Sequence, residues 1–394
     1  MSSTLGWTGG CESLGCRNVT DPLPILHIAN FADRVGGGEE SLLTLARGLD
    51  RRRYVPQAVV PGEGEIAAAL RRMGIPVAVL PLAPLRPWTA PAVLRSLRAL
   101  GALLKQWRPS LIHAHGSRGA LYAGITARWL HIPVIWHVRI TDRDPFLDRI
   151  LLALSVRVIA ISKAVRARFD GSHHAGKVRV VYNGVDPEGW VPTERLAYSL
   201  AGPVVLLVGR LSPGKGQTTL VRAAPAVLDQ VSGARFVLLG ADSDGEADRL
   251  RRLAGELAVS PAVEILGWKE DPRSVFQEAD VVTLPSRSEG FGRVLVEAAY
   301  LAKPVVASRV GGISEVVVDG ETGFLVPPDD PPALAEALIR LLTDPNLRAR
   351  LGKAARERAL TRFTARQHVE GVEAVYAEIV DRREFRVEVD RELH

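Results

Sequence analysis

The sequence predicts an α/β protein of two doubly wound parallel-sheet domains in series, facing each other across a central cleft. Three observations lead there. Short, continuous apolar runs alternate with segments of helical periodicity, the pattern of strands buried on both faces and covered by helices. The pattern stops at a polar stretch and then restarts. The chain has 394 residues, 47% of them hydrophobic, too many for one ordinary core and enough for two.

The elements follow in order. Residues 1–21 form a Gly/Ser-rich leader expected to be disordered. Strand-like runs occur at 24–29, 56–60, 77–80, 111–114, 134–136 and 156–161. Gly36, Gly37 and Gly38 make a turn after the first run, and a helix is expected from there to about Leu49. Asn183-Gly184 is a turn signal. Further strand-like runs lie at 204–208, 236–239, 263–266, 281–284 and 305–307. The expected division is an N-terminal domain over 22–186, a linker over 187–202 and a C-terminal domain over 203–381. The last helices of the second domain are expected to cross back to the first, leaving a charged tail at 382–394. Ligands in such sheets bind at the carboxyl ends of the strands, which places the site in the cleft.

Bulk properties exclude several classes. No run reaches the roughly 20 apolar residues of a spanning helix, and no basic stretch followed by an apolar run opens the chain, so no secretory signal is expected. The two cysteines, Cys11 and Cys16, have no partners at zinc spacing, so no metal site is expected. A chain that needs no disulfide fits a reducing, cytoplasmic setting. Residues 1–190 hold 24 Lys/Arg against 14 Asp/Glu, and residues 191–394 hold 26 against 30. The basic half suits solubility, an anionic acceptor or the anionic inner face of a membrane. No nucleic-acid reader motif accompanies it, so no nucleic-acid partner is expected. Residues 91–108 interleave Arg95, Arg98, Lys105 and Arg108 with apolar residues, which fits a helix packed on a sheet with snorkelling cations and also a membrane-surface helix.

Two constellations carry chemistry. Gly209-Arg210-Leu211-Ser212-Pro213-Gly214-Lys215-Gly216 follows a strand and precedes a helix. Backbone N–H groups and the helix dipole favour an anion there, and Arg210 and Lys215 add charges suited to a diphosphate. The spacing is not that of a P-loop. Taken alone, the segment also fits a tight turn with solvated charges. The second constellation, Glu289-Gly290-Phe291-Gly292-Arg293-Val294-Leu295-Val296-Glu297, also leaves a strand and enters a helix. Its carboxylates can accept hydrogen bonds from sugar hydroxyls, or can simply stabilise a helix start and face solvent.

Together with the Gly36-Gly37-Gly38-Glu39 turn, His113-Ala114-His115-Gly116, Asn183-Gly184-Val185-Asp186, Lys303-Pro304-Val305-Val306-Ala307-Ser308 and Gly311-Gly312-Ile313-Ser314-Glu315, the two constellations resemble retaining glycosyltransferase family 4. The resemblance covers residues 23–381 and implies the GT-B architecture, two Rossmann-like domains. The first is then the acceptor side and the second binds a nucleotide-diphosphate sugar.

What the resemblance implies is residue-specific. Arg210 and Lys215 hold the donor diphosphate. Glu289 contacts the transferred sugar, and Glu297 the ribose. Phe291, Gly292 and Val294 line sugar and phosphate with their backbone, and Gly37 or Gly38 approaches the diphosphate. His115 lies over the reacting sugar, with His113 and His137 as weaker candidates. No cofactor or obligatory metal is implied, and the acceptor is a glycan, a lipid-linked glycan or a small molecule in polysaccharide or glycoconjugate biosynthesis. Base recognition is expected near Gly267-Trp268-Lys269. One departure is visible: Ala298-Ala299-Tyr300-Leu301-Ala302 stands where relatives often carry Ala-Met-Ala-x-Gly. Two other readings stay open, a sugar-nucleotide epimerase of the same architecture and a non-catalytic scaffold of polysaccharide assembly.

Overall fold

The computed structural model describes residues 22–33, 36–191, 202–242 and 245–392. The leader, its two cysteines and most of the linker lie outside the described residues. Two all-parallel sheets account for the strands. The first holds β1 (Leu23–Ile28), β2 (Tyr54–Val60), β3 (Val77–Val79), β4 (Leu111–Ala114), β5 (Val134–Val138), β6 (Arg157–Ala160) and β7 (Val178–Val180), in the order β3-β2-β1-β4-β5-β6-β7. The second holds β8 (Val204–Val208), β9 (Arg235–Leu239), β10 (Val263–Gly267), β11 (Val281–Leu284), β12 (Val305–Ser308) and β13 (Gly323–Val326), in the order β10-β9-β8-β11-β12-β13. Each order reverses direction once, beside β1 and β4 in the first sheet and beside β8 and β11 in the second. These switch points are where doubly wound sheets open a crevice for ligands.

Two strands escaped the sequence reading, β7 and β13. Both are edge strands, and β7 is three residues long with Arg179 at its centre. Arg179 breaks the apolar run of β7, whereas β13 is Gly-Phe-Leu-Val, an apolar run that the sequence reading passed over. The interior strands β4, β5, β6, β11 and β12 are buried at every position.

Helices cover both faces of the first sheet. Leu100 and Leu104 of the helix Ala90–Trp107 share one core with Leu26, Ile112 and Trp136. The other face is closed from a distance in sequence. Val369, Val372, Val375, Tyr376 and Ile379 of the last helix, Ala365–Glu392, pack on Ile25, Leu45, Leu111, Ile135 and Ile159. Full burial of each aliphatic side chain there contributes about 1.5–3 kcal/mol. That helix packs along the helix Gly37–Gly48, so the chain returns from the second domain to complete the first. Its regular structure continues to Glu392, through most of the segment read from sequence as a tail. At the crossing, Val185 forms a parallel bridge with Thr364. Tyr300, the departure noted above, is buried there and donates from its hydroxyl to the Val185 and Phe363 carbonyls at 3.2 and 3.1 Å. No described helix is long and apolar enough to cross a membrane.

Candidate functional site

The carboxyl ends of β8 and β11 and the glycine turn after β1 enclose a cavity of about 420 Å³. Its construction begins with backbone constraints. Gly216 has φ +78°, and a Cβ there would lie 1.9 Å from the Pro285 carbonyl oxygen. Only glycine lets the Arg210–Lys215 loop close on the β11 loop. A Cβ on Gly290 would lie 2.3 Å from the Arg139 carbonyl oxygen, so the β11 loop approaches the first domain backbone to backbone. The helices Gly37–Gly48 and Arg293–Tyr300 both begin at the cavity, and their first N–H groups are free of helical partners.

The cavity gathers most of the residues singled out from sequence: Gly37, Gly38, Arg210, Lys215, Glu289, Phe291, Gly292 and Val294 line it. The Phe291 side chain is itself buried, so its backbone faces the space. Lys215 Nζ stands 2.5 Å from Glu289 Oε2, so the intended phosphate and sugar contacts hold one another. Glu297 does not line the cavity. Its Oε1 accepts from Arg293 Nε at 2.8 Å, and burial raises its carboxyl above the usual range.

Among the lining residues that sequence did not assign to the site, three carry a charged or amide side chain: Arg139, Asn183 and Arg293. Arg139 follows β5 directly and Asn183 follows β7, so a search for polar residues at carboxyl ends of strands would have found them. Arg293 lies inside the second constellation, but its role depends on folding: it donates to the Gly184 carbonyl at 3.2 Å across the cleft while holding Glu297. Burial pulls the Arg139 guanidinium down to about 10, which leaves it charged at neutral pH.

His115 lies behind this wall. Its ring is buried, and Arg139 Nη2 donates to its Nδ1 at 2.9 Å. Arginine has no acceptor, so the His115 proton sits on Nε2 and points to His27 Nδ1 at 3.1 Å. His113 Nε2 meets His137 Nδ1 at 3.0 Å, and its Nδ1 meets the Tyr376 hydroxyl at 2.6 Å. His368 completes the group, against the Tyr182 carbonyl at 2.8 Å. Desolvation holds all five histidines well below the ordinary value, His27 at about 3 and His368 at about 4. His27, His113 and His115 bring one nitrogen each within 4.8 Å of one another. A cation there would face the Arg139 charge, and among the described residues none of their hydrogen-bond partners is a carboxylate. The group is a neutral hydrogen-bonded stack that supports Arg139.

The domains also meet beside the cavity. Glu315 accepts from the Lys163 and Ala164 backbone N–H groups at 2.9 and 2.8 Å and from the Tyr182 hydroxyl at 2.9 Å. Ser162 Oγ donates to the Gly290 carbonyl at 2.7 Å.

Comparison with known proteins agrees with this construction. Residues 195–358 match the family "Glycosyl transferases group 1", and residues 35–188 match "Glycosyltransferase Family 4". Each domain of the chain thus matches a glycosyltransferase family. The two sheets are those of the GT-B fold, as in the crystal structure of Anabaena Alr3699/HepE in complex with UDP. That structure is similar with a TM-score of 0.79 and 25% identity, over 90% of this chain and 100% of the other. A glycosyltransferase from Rickettsia africae superposes equally well, at 0.79, with 19% identity over 91% and 99% of the two chains. Among curated relatives, the D-inositol 3-phosphate glycosyltransferase of Acidothermus cellulolyticus is 40% identical over 222 residues, 52% of this chain and 49% of its own. That of Corynebacterium glutamicum is 39% identical over 204 residues, 47% and 48%. The chain thus spans about half the length of the curated relatives it matches.

Proposed function

We propose that the chain transfers a hexosyl unit from a nucleotide-diphosphate sugar to a glycan, lipid-linked or small-molecule acceptor, with retention of anomeric configuration and no obligatory metal. The observation that carries this reading is the charge of the cavity. Among the described residues, Arg139, Arg210, Lys215 and Arg293 line it against a single carboxylate, Glu289, and two helix N-termini add to the positive field. Such a site suits a diphosphate whose charge grows as it leaves.

In this reading the acceptor oxygen attacks the anomeric carbon from the face the diphosphate leaves. The new C–O bond forms as the bond to the diphosphate breaks, and the acceptor proton passes to a departing phosphate oxygen. Arg210 and Lys215 stabilise that oxygen, and Glu289 grips the sugar hydroxyls. The resemblance gives Glu297 the ribose, and a donor that reaches it must pass Arg293, which donates to its Oε1. His115 acts through Arg139.

The test is thermal stability of the purified chain with UDP, GDP, ADP and dTDP, with and without EDTA. UDP comes first because HepE was solved with it. One nucleotide at a hundred-fold excess over its Kd adds about 2.7 kcal/mol, insensitive to EDTA; no shift with any of them refutes the donor site. D-inositol 3-phosphate, in the name of the relatives, is the first acceptor to try. Product analysis without acceptor separates transfer from epimerisation. Arg210→Ala is expected to lower kcat/KM roughly ten- to a hundred-fold per lost contact, and normal turnover would remove Arg210 from the mechanism.

A further inference from the structure

We propose that the first domain docks on an anionic lipid bilayer through the helix Ala90–Trp107 and the turn that leads into it. Residues 66–141 contain ten Lys/Arg and not one Asp or Glu, in a chain with 44 acidic residues among 394. At that average about eight acids belong in the segment. The helix buries only Ser96, Leu100 and Leu104, one narrow stripe against the sheet. Its outward arc carries Arg95, Arg98 and Lys105 beside an exposed Leu94. The preceding turn projects Leu85 and Trp88, the latter 74% exposed, with the Arg86 guanidinium 5.6 Å from the Trp88 ring centre.

A helix packed on a sheet requires the buried stripe. It does not require an outer face stripped of acids, nor an exposed indole at its entrance. Both are what an interfacial surface needs: cations at headgroup level and an amphipathic ring with leucines entering the acyl boundary. A soluble polyanion would engage the cations but offer nothing to Leu85, Trp88 and Leu94. The turn follows β3 on the carboxyl side of the sheet, the side on which the cavity opens, so docking would hold the cleft beside the membrane. The inference deepens the lipid-linked reading of the acceptor.

The experiment is sedimentation of the full chain with vesicles of equal phosphatidylglycerol and phosphatidylcholine, and with phosphatidylcholine alone, over a salt series. Neither donor nor acceptor is present, so failure here leaves the transfer reading untouched. Binding is expected only to the anionic vesicles, weakening as salt rises. The triple variant Arg95→Gln, Arg98→Gln, Lys105→Gln loses about five-fold per charge, roughly a hundred-fold in all. Trp88→Ala, which keeps every charge, weakens binding roughly ten-fold. Unchanged melting of both variants without vesicles shows that they fold. No binding to anionic vesicles at low salt overturns the proposal, as does a triple variant that binds like the parent. Heparin binding as tight as vesicle binding, with Trp88→Ala silent, replaces it with a polyanion site.

Discussion

The Lys215–Glu289 pair gives a prediction whose sign differs between binding and turnover. The ammonium and carboxylate stand 2.5 Å apart with side chains 32% and 18% exposed. A diphosphate that recruits Lys215 must draw it from Glu289. An ion pair that water still reaches is worth about 0.5–1 kcal/mol. Glu289→Gln removes that competition and the one carboxylate among the described residues that line the cavity. The cognate nucleoside diphosphate, which has no sugar, is therefore expected to bind about two- to five-fold more tightly. Transfer is expected to fall, because a charge-assisted contact to a sugar hydroxyl, about 1.5–3 kcal/mol, is lost. That corresponds to roughly ten- to a hundred-fold in kcat/KM. Titration calorimetry with the diphosphate and initial rates with the full donor measure the two effects. Weaker diphosphate binding would show that Glu289 positions Lys215 rather than competing for it, and unchanged rates would refute the sugar contact.

Three further outcomes are expected. Glu315→Ala removes three hydrogen bonds between the domains, each worth about 0.5–1.5 kcal/mol; small-angle scattering should show a more open molecule and kcat/KM should drop at least ten-fold, and unchanged scattering and rate would exclude a closing role. The buried histidines stay neutral in the fold, at about 3 for His27 and about 4 for His368, whereas unfolded histidines protonate near 6.5. Below pH 6.5 the unfolded chain therefore binds more protons, and stability is lost as pH falls from there toward 4, by about 1.4 kcal/mol per pH unit for each histidine; denaturant unfolding at pH 7, 6 and 5 tests this, and a pH-independent midpoint would contradict it. Ala302 sits at φ +53° as the residue after a helix C-cap, with Lys303 N–H bonded to the Ala298 carbonyl at 3.0 Å. Ala302→Gly should stabilise by about 0.5–1 kcal/mol, the left-handed penalty less the entropy of glycine, and a lowered melting temperature would refute that account.

The same Ala302 shows how local sequence signals carry through. Where relatives often have glycine the chain has alanine, and the backbone keeps the glycine conformation because the helix must end there. Gly216 and Gly290 stood inside the two constellations, but that each marks a close approach of one backbone segment to another is visible only in the fold. The assignment of Lys215 and Glu289 to a site was legible from their motifs, but their pairing was not, because the two loops are brought together by the pairing of β8 with β11. His115 stood out through the resemblance, in His113-Ala114-His115-Gly116 at a strand end. That it belongs to a stack with His27, His113, His137 and His368 follows from the order of the strands and the return of the last helix.

The sequence alone determined the buried strands, the two domains and the glycine-rich loops at their ends, because apolar periodicity and glycine constraints act over a few residues. Tertiary structure decided which distant polar groups face one another: Arg139 against His115, Arg293 against the Gly184 carbonyl, Glu315 against the helix start at Lys163. Those contacts join segments up to about 150 residues apart. Their partners are set by strand order and by the crossing of the final helix, and no local pattern encodes either.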